Sequence, residues 1–105
     1  MGLKTRPYDA AEYLEDDETI AEYLEEAMNV AMEDSDPGFL VHALGTVARA
    51  RGMSQIAKDA GLSRESLYKA LGAEGNPEFG TVLKVLQALG LKLSIKSHKS
   101  QGAAA

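Results

Sequence analysis

Cysteine and tryptophan are absent from the 105 residues, and histidine occurs only at His42 and His98. Without cysteine there is no disulfide to staple a small fold and no thiolate to act as nucleophile or metal ligand. The absence suits a reducing cytosol. His42 stands between Val41 and Ala43 in a helical stretch, where a packed or surface imidazole is a simpler reading than a general base. His98 lies among lysines near the end. Paired acids such as Asp16-Asp17 and Glu25-Glu26 do not make a cation site, because sequence neighbours on a helix point apart. Gly72 and Gly75 lack the spacing of a phosphate loop. No catalytic constellation, cofactor or metal is expected, and the chain does not read as an enzyme. Also missing is any apolar run near the roughly 20 residues that cross a bilayer. Met1 to Leu14 has no apolar stretch of the signal-peptide kind. The expectation is a soluble, cytoplasmic protein with no membrane partner.

Prolines number three and charged residues make up 26%, a composition that does not suggest global disorder. With 45% apolar residues the chain can fill one modest core. Positive charge is scarce in one region only. Residues 1–38 hold 12 acids against Lys4 and Arg6, whereas residues 39–105 hold nine bases against four acids. The two parts carry −10 and +5 within a total of −5. Such asymmetry suggests two surfaces with different partners.

Helical periodicity dominates. In residues 5–14, Asp9 and Glu12 have the spacing of a capping box, with Tyr8, Tyr13 and Leu14 as apolar anchors. In residues 16–35, Ile20, Tyr23, Leu24, Ala27, Met28 and Ala31 recur at three- and four-residue steps. Asp16 or Asp17 caps that helix, and Glu18, Glu22, Glu25, Glu26 and Glu33 lie mainly off the stripe. Asp36-Pro37 starts the next helix, with Leu40, Leu44, Val47 and Ala48 inside and Gly52 at its end. Ser54 is the expected cap of a short helix through Ala60. Asn76-Pro77 opens a last helix with Phe79, Val82, Leu83, Leu86 and Leu89 as its stripe and Gly90 as its end. Met28, Met32 and Met53 read as core fillers. Residues 91–96 alternate instead: Leu91, Leu93 and Ile95 against Lys92, Ser94 and Lys96. That is the period of a strand.

The stretch "MSQIAKDAGLSRESLYKAL" (53–71) reads as helix, tight turn, helix. Gly61 suits the turn, because positive φ costs glycine least. Ala57 is small enough for a close helix crossing, and Ile56, Leu62 and Leu67 can pin the pair to a core. Ser63 caps the second helix, from Arg64 to about Leu71. That helix would then present Ser63, Arg64, Glu65, Ser66, Tyr68 and Lys69 outward. Arg64 has the chemistry to read a guanine edge, and the hydroxyls and Lys69 suit phosphates or bases. Glu65 can accept from cytosine or repel wrong sites. Arg49, Arg51 and Lys58 are candidate phosphate contacts. Residues 49–71 carry a net +3, so the overall −5 does not speak against a polyanionic partner.

Residues 50–93 resemble the Xre, or lambda-repressor-like, helix-turn-helix. The segment "NPEFGTVLKVLQALG" is similar to that family's fourth helix, with Pro77, Thr81 and Leu89 in matching places. With "YDAAEYLEDDETIAEYLEEA" in front, residues 5–96 resemble the probable addiction-module antidote proteins, which are antitoxins of bacterial toxin–antitoxin pairs. The resemblance implies double-stranded operator DNA as one partner and repression of the pair's own operon. It also implies a small basic toxin of the RelE/HigB-like kind, whose superfamily cleaves messenger RNA. The long DNA-binding arm or disordered tail of some antitoxins has no counterpart in the chain.

An all-α fold of about six helices with one short C-terminal β-strand is therefore expected. The domain reading is an acidic helical extension (1–38), a helix-turn-helix domain with its strand (39–96) and a flexible tail (97–105). Glu18, Glu22, Glu25 and Glu26 are the candidate toxin contacts, by charge complementarity with a basic nuclease. Leu91, Leu93 and Ile95 are the candidate dimer contacts, because a lone strand must pair with something. Two rival readings are a stand-alone Xre-type transcriptional regulator without a toxin, and a protein–protein adaptor that no longer touches DNA.

Overall fold

The computed structural model describes residues 16–97. Among them are five helices: α1 (Asp17–Asp34), α2 (Pro37–Arg51), α3 (Met53–Ala60), α4 (Arg64–Ala70) and α5 (Phe79–Ala88). The expected helix over residues 5–14, with Tyr8 and Tyr13, lies outside the described residues. Helix α1 packs on α2, α2 meets α3, and α3 packs against both α4 and α5. One core joins all five. Ile20 of α1, Leu44 and Val47 of α2, Leu67 of α4 and Val85 of α5 have no solvent exposure. Met53, Ile56 and Ala57 of α3 close the gap between them.

Local chemistry explains the breaks. Asp16 caps α1, its carboxylate accepting the Thr19 N–H at 2.7 Å. This bond holds the Asp16 carboxyl below its ordinary value of 3.8. A carboxyl depressed in the folded state adds stability above the ordinary carboxylate range and loses it as pH falls through its own pKa. Asp16→Ala is therefore expected to lower the thermal midpoint at about pH 7 and to have little effect near pH 2. An equal loss at both, in thermal melts, would show that the charged cap is not what matters.

The end of α3 is a Schellman turn. Gly61 adopts φ +74°, its N–H donates to the Lys58 carbonyl at 3.1 Å, and Leu62 N–H donates to the Ala57 carbonyl at 2.8 Å. Helix α5 ends the same way at Gly90 (φ +80°), with Gly90 N–H on Gln87 and Leu91 N–H on Leu86, both at 2.9 Å. The expected starts of two helices move. Helix α3 begins at Met53 with Gly52 as its cap residue, which places Ser54 inside the first turn. Gly52 is the only residue between α2 and α3, so no room remains for a separate cap. Helix α5 begins at Phe79 with Glu78 before it, two residues past Asn76-Pro77.

Two apolar expectations fail. Phe79 is 65% and Met32 74% exposed. Phe79 opens α5 before the helix reaches the core, and Met32 sits near the end of α1 beyond the last residue it buries, Ala31. The expected strand is also not formed. No strand occurs among the described residues, and residues 91–97 run on without regular structure. A strand needs a neighbour to complete its hydrogen bonds, and no described segment lies in that role.

Candidate nucleic-acid interface

The turn between α3 and α4 sets the geometry of the candidate surface. Ala57, almost fully buried, accepts the Leu62 N–H that closes the turn, and Leu62 packs partly against the core. The Ser63 hydroxyl accepts the Ser66 N–H at 2.9 Å and lies 2.9 Å from the Ser66 hydroxyl. These bonds fix the first turn of α4. Leu67 is the only buried residue inside α4, with Leu71 buried just after it. The helix is thus anchored along one line, and the rest of its surface faces solvent.

Ser63, Arg64, Glu65, Ser66, Tyr68 and Lys69 are all exposed, as their spacing predicts. Arg64 is not loose. Its guanidinium lies 5.2 Å from the Tyr68 ring centroid, within cation–π range. Its Nη2 is also 3.4 Å from the Tyr68 hydroxyl, a long hydrogen bond. One turn of helix separates the two residues, so stacking comes at little entropic cost. The result is a flat, charged, partly ordered donor group beside an aromatic hydroxyl. Such a fork suits a guanine edge or a phosphate. Glu65 sits in the first turn of α4, where the helix dipole favours a carboxylate.

The candidate phosphate contacts divide. Lys58 is exposed on the last turn of α3, the helix packed on α4. Arg49 is exposed near the end of α2. Arg51 is drawn elsewhere: its Nη1 lies 3.1 Å from Asp17 Oδ1, tying the end of α2 to the start of α1. The pair is well solvated, so it is worth about 1 kcal/mol at most. It nonetheless competes with any phosphate for that guanidinium. Sequence spacing gave no sign of it, because 34 positions separate the partners. Gln55 was also missed. It is exposed on α3 and donates to Asp59 Oδ1 at 2.9 Å, one turn on.

On the acidic side, Glu18, Glu22, Glu25 and Glu26 are all exposed on α1. Four-residue steps put Glu18, Glu22 and Glu26 on one ridge. Glu25 instead borders an open groove of about 770 Å³ beside residues 91–97. Met28, Met32, Leu40, Val82 and Leu93 line it, with Glu33 about two turns beyond Glu25 and with Lys92 and Lys96 on the segment. Leu93 and Ile95 are 40% and 93% exposed, whereas Leu91 packs partly against the core. Among the described residues no group of three or more His, Cys, Asp or Glu is placed to hold a metal, and no helix is long and apolar enough to cross a membrane.

The description "Probable addiction module antidote protein" belongs to a family model that matches residues 4–97. A Haemophilus influenzae protein described as uncharacterized is 46% identical over 99 residues, which is 94% of this chain and 98% of that one. No solved structure matches the chain. The family match spans the acidic helix, the α3–α4 turn and the segment after α5, and the chain belongs to the probable addiction module antidote proteins, the antitoxin side of toxin–antitoxin pairs.

Proposed function

We propose that the protein is an antitoxin with two working surfaces. One reads operator DNA through an Xre-like helix-turn-helix and represses the module's own operon in the cytoplasm. The other holds a small basic toxin of the RelE/HigB-like kind on the acidic face of α1. The observation that carries the DNA half is α4 itself: a capped helix held by Leu67, with Arg64 stacked on Tyr68 and Lys69 exposed beside it. A two-fold dimer would set two such helices about one DNA turn apart. Leu91, Leu93 and Ile95 are the proposed dimer contacts.

Gel shift with the DNA upstream of the gene tests the first surface. Retardation is expected at about 50 mM salt, with affinity falling on the order of 10³-fold by about 200 mM. Failure to retard any upstream fragment at low salt would remove the DNA half. Capture of the neighbouring gene's product tests the second. Reversing Glu22, Glu25 and Glu26 to lysine is expected to weaken capture at least about tenfold, since steering and pairing both depend on these charges. Unchanged capture would take the acidic face out of the reading. A neighbour that is not a small basic protein would favour the stand-alone regulator.

A further inference from the structure

We propose that residues 91–95 pair with the same residues of a second copy as an antiparallel two-stranded ladder, with Leu93 opposite Leu93 on the two-fold axis. This deepens the dimer suggested above and rests on that reading for its purpose, though not for its geometry. Three observations support it. The segment alternates strictly between apolar residues and Lys or Ser. Past Leu91 N–H, which reaches Leu86, residues 92–96 form no backbone–backbone hydrogen bond among the described residues. Ile95 is 93% exposed, so nothing described in its own chain covers it.

The pattern then selects the register. Residues directly opposite in an antiparallel pair share a face. Registers that set Leu93 opposite Lys92 or Ser94 mix apolar and polar faces and are disfavoured. Centring on Lys92 puts that lysine against itself. Centring on Ser94 puts Lys92 against Lys96 twice. Centring on Ile95 sets Leu93 against Ser97 and leaves Leu91 out. Centring on Leu93 has none of these faults: Leu91 meets Ile95, Lys92 meets Ser94, and no lysine faces a lysine. Leu91 already packs on the core, so the partner copy's Ile95 gains cover beside it. Parallel pairing would put Lys92 on Lys92 and Lys96 on Lys96.

The absence of cysteine makes the test clean. K92C, L93C, S94C and I95C are each oxidised mildly in the purified full chain, without DNA or toxin. Opposed Cα atoms in a ladder lie about 4.5–5.5 Å apart, within disulfide reach. L93C is expected to form the interchain disulfide nearly completely and the other three only weakly. Sedimentation should show a dimer at micromolar concentration. I95D should raise its dissociation constant at least about tenfold without changing helicity. Cross-linking strongest at residue 92, 94 or 95, or equal at all four, overturns the register. A monomer, or a dimer that no variant cross-links, overturns the self-pairing. Failure of operator binding with L93C still cross-linked would instead sink the DNA reading and leave the pairing standing.

Discussion

Arg64→Ala is expected to weaken binding to the upstream DNA about 5- to 150-fold, or roughly 1–3 kcal/mol, and to relax base preference at one position of the site. The size follows from what the side chain is prepared to do. A guanidinium already stacked on Tyr68 gives up less freedom on binding than a loose one. Tyr68→Phe keeps the ring and loses only the 3.4 Å contact, so a smaller loss is expected. Tyr68→Ala removes the platform and should approach the Arg64→Ala value. Lys58→Ala should behave differently, weakening all sequences alike and lowering the salt slope by about one. Titrations of matched and mismatched duplexes at two salt concentrations separate these outcomes. If Arg64→Ala weakens every sequence equally, Arg64 is a phosphate contact and the base reader lies elsewhere on α4.

Helix α4 was legible because its determinants are local. Gly61, Ser63 and the small Ala57 act within a few residues of themselves, and the turn forms where their chemistry places it. The acidic stripe of α1 was legible for the same reason. Long-range pairings were not. Arg51 looked like one more base near α4, yet it answers Asp17 of another element. The shared core is also a tertiary fact. Ile20 and Leu24 show helical period in the sequence, but only the fold shows that they pack with Leu44 and Val85. Phe79 and Met32 misled because apolar character does not by itself say inside. The alternation at residues 91–96 was visible, but a single chain offers it no second edge.

Leu67→Ala is expected to cost about 2–5 kcal/mol of folding stability, a large share of the roughly 5–15 kcal/mol available to such a domain. Leu67 has no exposed surface and is the one residue buried within α4. Truncating it leaves a cavity where α4 meets α3 and the core. Only Leu71, just past the end of α4, would remain to hold that helix. Operator binding should therefore fall by more than the fraction of unfolded protein explains, since the mounting of Arg64 and Tyr68 loosens even in folded molecules. Phe79→Ala is the control: an exposed aromatic at the start of α5, it should change stability by no more than about 0.5–1 kcal/mol. Urea titrations followed by circular dichroism, with binding measured below the transition, test both parts. A loss under about 1 kcal/mol for Leu67→Ala would mean that α4 is not hung on this side chain. Intact binding by the folded fraction would mean that the orientation of α4 is held by the Ser63 cap and the Gly61 turn alone.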